Sequence, residues 1–213
     1  MFGEPVHFPT IRIPVPRKAI YARLGFRKGL TMIKPEEQEM VERYIEEASA
    51  IVALKGAARI IPIRRSDDAQ TVLDSGHILS SRALSRMLFR CTHVLMMGAT
   101  SGPDIMDAIS SASYTHDLTR AVVLDATASE MTDEALTWIV NYIDHELRRK
   151  AQSLTRKRFS AGYGDFSLEN QKAIYDLLRL GSIGVSIMDT CILIPEKSVT
   201  AIAGIRTSRQ KPQ

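Results

Sequence analysis

The chain has 213 residues, of which 45% are apolar and 24% charged, with a net charge of +4 and two cysteines. A chain of that size and balance buries about 70% of its unfolded surface and needs no metal or disulfide staple. No run of eighteen apolar residues occurs and Met1 to Pro16 lacks a signal-peptide pattern, so a cytoplasmic protein without a membrane span is expected.

In chain order, Pro5, Pro9, Pro14 and Pro16 keep the opening segment extended. Arg17 to Leu24 reads as a short helix that Gly25 ends in the left-handed region. Pro35 opens a stronger helix, with Glu36 and Glu37 in the first turn, where the helix dipole favours acids. Its apolar stripe is Met40, Val41, Tyr44, Ile45, Ala48, Ile51 and Val52, and Gly56 is expected to close it. Short strands are predicted over Arg59 to Ile63, Thr71 to Leu73 and His77 to Leu79. Ser80 or Ser81 then caps a helix to about Phe89. Thr92 to Gly98 and Arg120 to Asp125 read as buried strands flanking a helix over Pro103 to Ser113. A long amphipathic helix is predicted from Thr132 to Leu154, and another from Leu168 to Leu180 with Ser167 as its cap. Strands over Gly184 to Asp189 and Ser198 to Gly204 close the chain as a hairpin-like pair. The middle alternates like βαβ units and the ends do not, which favours a single α+β domain, residues 1–213, around a mixed sheet.

Cys91 and Cys191 form no CxxC pair and have no histidine at zinc-ligand spacing, so two reduced thiols and no metal are expected. His77, His93, His116 and His145 fall on separate elements and read as solvated or satisfied. The turn Gly98-Ala-Thr-Ser-Gly-Pro103 imitates a phosphate loop but lacks the third glycine and the lysine, so a plain strand-to-helix connection is the better reading. The densest basic cluster is Arg148, Arg149, Lys150, Arg156, Lys157 and Arg158, with Arg206, Arg209 and Lys211 near the end. Interleaved aromatics and zinc-finger spacing are missing, so nucleic acid is not expected, whereas an acidic protein partner would suit a mildly basic surface.

The loop Arg158-Phe-Ser-Ala-Gly-Tyr-Gly-Asp-Phe166 combines an arginine, small residues and a Gly-Tyr pair. Small residues let a ligand reach the backbone, arginine forks onto a carboxylate, and tyrosine offers a flat face with a hydroxyl. Those parts suit an amino-acid-like or nucleoside-like ligand. On the residues alone, an ordinary surface loop remains the simpler reading.

Arg158 to Tyr163 resembles the R-x-x-x-G-Y loop of the activation domain of cobalamin-dependent methionine synthase. Ile183 to Thr190 is similar to that family's I-G-[MV]-x-L-T-E-S, and Leu193 to Thr200 to its M-x-P-x-x-S-V-S. Leu95 to Pro103, Ala121 to Ala126 and Tyr21 to Gly25 resemble three further family segments, in the same order. The resemblance implies a helmet-like α+β fold with a central, twisted, mainly antiparallel sheet and flanking helices. It also implies a standalone activation subunit that binds S-adenosylmethionine and supports reductive remethylation of cobalamin. The cobalamin would be carried by a methionine synthase or another corrinoid protein, and the electron would come from a flavodoxin or ferredoxin-like donor. By position, Arg158 would hold the ligand carboxylate or the adjoining backbone, Ser160 and Ala161 would offer backbone bonds, and Gly162 would allow close approach. Tyr163 is the candidate catalytic residue, facing both ligand and corrin.

The chain departs from the family pattern in three respects. No Asp or Glu lies between Glu4 and Glu36, Arg206 to Gln213 holds no tyrosine pair, and Met188-Asp-Thr190 replaces T-E-S. Asp144 or Glu146 is the expected acid on the long helix. These differences leave two further readings: a non-enzymatic corrinoid-protein partner that caps the cofactor without S-adenosylmethionine, and a relative adapted to another small molecule.

Overall fold

The computed structural model describes residues 3–27 and 31–207. Its elements are β1 (Val6–Phe8), α1 (Arg17–Arg23), α2 (Pro35–Ile51), β2 (Lys55–Ser66), β3 (Gln70–Leu73), β4 (Ile78–Ser80), α3 (Arg82–Leu88) and β5 (His93–Thr100). There follow α4 (Asp104–Tyr114), α5 (Leu118–Arg148), β6 (Gln152–Leu154), α6 (Asn170–Leu178), a short 3-10 turn (Leu180–Ile183), β7 (Ser186–Ile187), β8 (Leu193–Ile194) and β9 (Ser198–Thr207). The main sheet runs β4-β3-β2-β5-β9-β6, with β1 on the first half of β2. Every pairing in it is antiparallel, so the class is α+β with helices on both faces.

The centre of the sheet explains why β5 and β9 are apolar almost throughout. Val94, Met96 and Ile202 pack on one face with α3, α6 and the 3-10 turn. Leu95, Met97, Ala201, Ala203 and Ile205 pack on the other against α5. A strand covered on both faces has no polar side to alternate with. On the α5 face, Phe8 meets Trp138 edge-on at 5.2 Å, and Trp138 stacks on Tyr142 one helical turn away. Helices α1, α2 and α4 pack around the first half of α5 in two smaller apolar clusters.

Several predicted elements stand as expected. Ser81 caps α3, its hydroxyl accepting from Leu84 N at 2.9 Å, and Gly25 follows α1 at φ +87°. Others need correction. Arg120 to Asp125 is the beginning of α5, not a strand, which removes the βαβ unit that the sequence suggested. The Asp117 carboxylate accepts from Arg120 N at 3.1 Å, and Ala121, Leu124, Ala128, Ala135 and Ile139 are buried at helical spacing. That cap and that period outweigh the β preference of Val122-Val123. At its other end α5 stops at Arg148; Ala151 adopts φ +53°, and the predicted last turn is instead edge strand β6. Gly56 does not end α2. The helix stops at Ile51, with Val52 extended, and Gly56 lies in β2. Residues 184–189 form only a two-residue strand, paired with β8, while β9 enters the main sheet between β5 and β6. Of the basic C-terminal residues, Arg206 lies in β9 and Arg209 and Lys211 are outside the described residues.

Candidate functional site

The site forms where the sheet edge is open. Strand β9 pairs with β6 only over Ile205 to Thr207, and then with a single residue of the following loop, Phe159. Phe159 exchanges both backbone bonds with Ile202, at 2.9 and 2.7 Å. Two residues back along β9, Thr200 presents its backbone to the same edge, where no strand covers it among the described residues. The elements from both faces of the sheet converge on that gap.

From Phe159 onward the Arg158–Phe166 loop is held at several points. Ala161 is buried, and Gly162 adopts φ +87° while its N–H donates to Phe166 O at 2.8 Å. Only glycine adopts that backbone without strain; a Cβ there would merely touch Leu168 at 3.4 Å, so the conformation and not the space demands it. Phe166 is fully buried among the α3 and α6 side chains. Asp165 reaches back to α3, where its carboxylate accepts from Ser81 Oγ at 2.6 Å and Arg82 N at 2.7 Å. The Ser81 hydroxyl bond and the backbone bonds hold the Asp165 carboxyl below the usual carboxylate range. Between these anchors Tyr163 stands 70% exposed at the tip.

The loop separates two concavities. The smaller, about 430 Å³, is bounded by Asp133 and Leu136 of α5, the loop, Leu168 and Gln171, and the segment from Cys191 to Ala201. Arg158 lines it, its Nη1 donating to Thr137 Oγ1 at 3.5 Å. Asp133 opens onto the same pocket; the concave wall strips water from its carboxyl and Glu130 adds a second negative charge, so its pKa is raised despite the opposing pull of Arg158. Glu196 supplies another acid. The chain beside it is pinned to α5 by Lys197, which meets Asp125 at 2.6 Å and Ser129 Oγ at 3.0 Å. Buried Gln171 accepts from Thr200 Oγ1 at 3.0 Å. The pocket thus offers one cation, two acids and an open backbone edge. Of its lining residues, Tyr163, Leu168 and Ile192 leave apolar surface exposed.

The larger concavity, about 900 Å³, lies on the other side of the loop, against α3 and β6. Arg158, Ser160 and Tyr163 line both, and Ala161 lines only the smaller. Gly162 lines neither, and its part is the turn itself. Asp144, one of the acids expected from the long helix, instead pairs with Arg148 at 2.8 Å, and neither it nor Glu146 borders the pocket. Asp133, which does border the pocket, sits about four turns into α5. Ser167 does not cap α6, which starts at Asn170; it accepts from Glu169 N at 3.3 Å in the turn before. The Gly98–Pro103 turn is a plain connection, with Ser101 N donating to Lys197 O and Gly102 N to Thr100 Oγ1. Sequence reasoning missed Asp133, Gln171 and Glu196; only Glu196 lay inside a segment already singled out.

No family model matches the sequence, and no curated protein matches it. The fold is that of a methionine synthase activation domain. The solved structure of the MetH reactivation domain bound to AdoHcy matches with a TM-score of 0.67, covering 100% of this chain and 81% of that one at 12% identity.

Proposed function

We propose that the smaller pocket binds S-adenosylmethionine and that the chain serves as a standalone activation subunit for reductive remethylation of cob(II)alamin on a partner methionine synthase or other corrinoid protein. The observation that carries this reading is the meeting of Arg158 and Asp133 in one pocket beside an open backbone edge. The amino-acid end of the ligand has one carboxylate and one ammonium, and a pocket with one arginine and two acids complements both. Its volume of about 430 Å³ falls in the small-ligand range. The solved relative with this fold carries AdoHcy, which differs from the proposed ligand by one methyl group. When bound, S-adenosylmethionine supplies an electrophilic methyl group; Arg158, Asp133 and the Ser160–Ala161 backbone orient it, Gly162 shapes the turn, and the Tyr163 hydroxyl stands at the mouth. The apolar rim of Tyr163, Leu168 and Ile192 suits the corrinoid partner, with a flavodoxin or ferredoxin-like donor supplying the electron.

The test is transfer of a labelled methyl group from S-adenosylmethionine to a reduced corrinoid protein, with and without this chain. Transfer is expected to depend on the chain. Tyr163→Phe is expected to keep the fold and slow transfer about two- to tenfold, the loss of one hydrogen bond. An unchanged rate would remove the hydroxyl from the reaction.

Affinity is also expected to depend on pH through Asp133. Its folded pKa is raised, so the carboxylate that receives the ammonium is lost at a higher pH than for an ordinary aspartate. Affinity should therefore fall as pH drops through that raised pKa, and binding in this range should release protons. Asp133→Asn is expected to bind about tenfold more weakly and to flatten the profile. A profile that keeps its slope in the variant would assign the titration to another group.

One observation favours the capping reading instead. The extended N-terminal stretch Pro9 to Ile13 borders a different pocket, with Lys55 and Met131, and contributes nothing to this one. Chain-dependent protection of a corrinoid protein without methyl transfer would support that alternative.

A further inference from the structure

The larger cleft carries a second, independent feature. Arg86, Arg156, Lys157, Arg158 and Arg206 all line it, and no acidic side chain does. None of the five forms an ion pair among the described residues, although Arg17, Arg23, Arg120, Arg148, Arg179 and Lys197 all do. The Asp165 carboxylate next along the loop is already engaged by Ser81 and the first amides of α3. The cations come from three places, α3, the Arg156–Arg158 stretch and the end of β9, so the fold adds two arginines distant in sequence to a local basic run. Like charges confined to one concavity repel, and low-dielectric walls focus their field on whatever enters. Below them lie Met87, Leu154 and Phe159.

We infer that this cleft binds a phosphate-bearing small molecule of nucleotide size. Four of the five cations are arginines, whose forked donors match phosphate oxygens two at a time. Five positive charges balance an oligophosphate better than a single carboxylate. The volume of about 900 Å³ sits at the upper end for small-ligand sites, and the apolar floor accepts the uncharged part. A concave site with an apolar floor favours such a molecule over an acidic protein segment, which would need only a flat basic surface. The inference does not rest on S-adenosylmethionine binding, because Arg86, Arg156, Lys157 and Arg206 line the larger cleft alone.

The full chain is titrated calorimetrically at low salt with inorganic triphosphate, with ATP and with a hexaglutamate peptide. Both phosphate compounds are expected to bind, ATP the more tightly, and hexaglutamate the least. Arg86→Gln and Arg156→Gln are each expected to weaken ATP roughly tenfold or more, as loss of a charge-assisted bond requires. Arg206→Gln, at the end of β9, gives the same reading should either of those fail to fold. Arg64→Gln, an exposed arginine of β2 outside the cleft, controls for loss of net charge and is expected to leave affinity unchanged. Three outcomes would overturn the inference: no binding of either phosphate compound, equal loss in Arg64→Gln, or hexaglutamate binding more tightly than ATP.

Discussion

Phe166→Ala is expected to lower folding stability by about 3–5 kcal/mol, the usual cost of emptying a fully buried phenylalanine site. Phe166 is 0% exposed and lies in the cluster that joins α3, α6 and one face of the sheet. Its neighbours there include Phe159, at a ring separation of 6.2 Å, so the two ends of the site loop share one anchor. Its backbone also closes the turn, donating to Tyr163 O at 3.0 Å and accepting from Gly162 N at 2.8 Å. The substitution should therefore loosen the wall shared by both concavities as well as the core. Urea denaturation checks this: the midpoint should fall with little change in slope. A loss below about 1 kcal/mol would mean that the loop is not anchored through this ring. Tyr163→Ala, at a position 70% exposed, is expected to leave the midpoint nearly unchanged.

Arg158→Ala is expected to weaken S-adenosylmethionine binding by about 1.5–3 kcal/mol, or roughly 10- to 150-fold, while sparing the fold. Arg158 is exposed, and its hydrogen bond to Thr137 is long at 3.5 Å, so little stability is at stake. Its place in the lining with Asp133, Ser160 and Ala161 makes it the cation of the smaller pocket. It is also one of the five cations of the larger cleft, so the same variant should weaken phosphate binding too. Arg86→Gln should not affect S-adenosylmethionine, and this asymmetry separates the two sites. Equilibrium dialysis with labelled ligand measures both effects, and unaltered affinity for S-adenosylmethionine would remove Arg158 from its site.

Much of this architecture is legible in local sequence. Pro35 with Glu36 and Glu37 marks the start of α2, Ser81 the cap of α3, and the apolar run before Gly98 marks β5, because each signal acts within a few residues. The run Ala121-Val-Val-Leu124 misleads for the same reason: it is β-branched locally, and only the longer period from Ala121 to Ile143 reveals a helix. The Arg158–Tyr163 loop was visible as a run of residue types. Its acids were not. Asp133 lies 25 residues before Arg158 and Glu196 lies 38 after it, and only the packing of α5 on the sheet beside the start of β9 brings them together. The five-cation cleft was legible in part: the Arg156–Arg158 cluster stood out, while Arg86 reaches it by tertiary packing. Arg148 was grouped with that cluster in the sequence but turns back along its helix to Asp144.

The most direct measurement is a calorimetric titration of the unmodified chain, without any partner, with S-adenosylmethionine and with S-adenosylhomocysteine. One-site binding of S-adenosylmethionine in the micromolar range, with a saturating heat, is the expected result. The absence of binding up to millimolar ligand would contradict it.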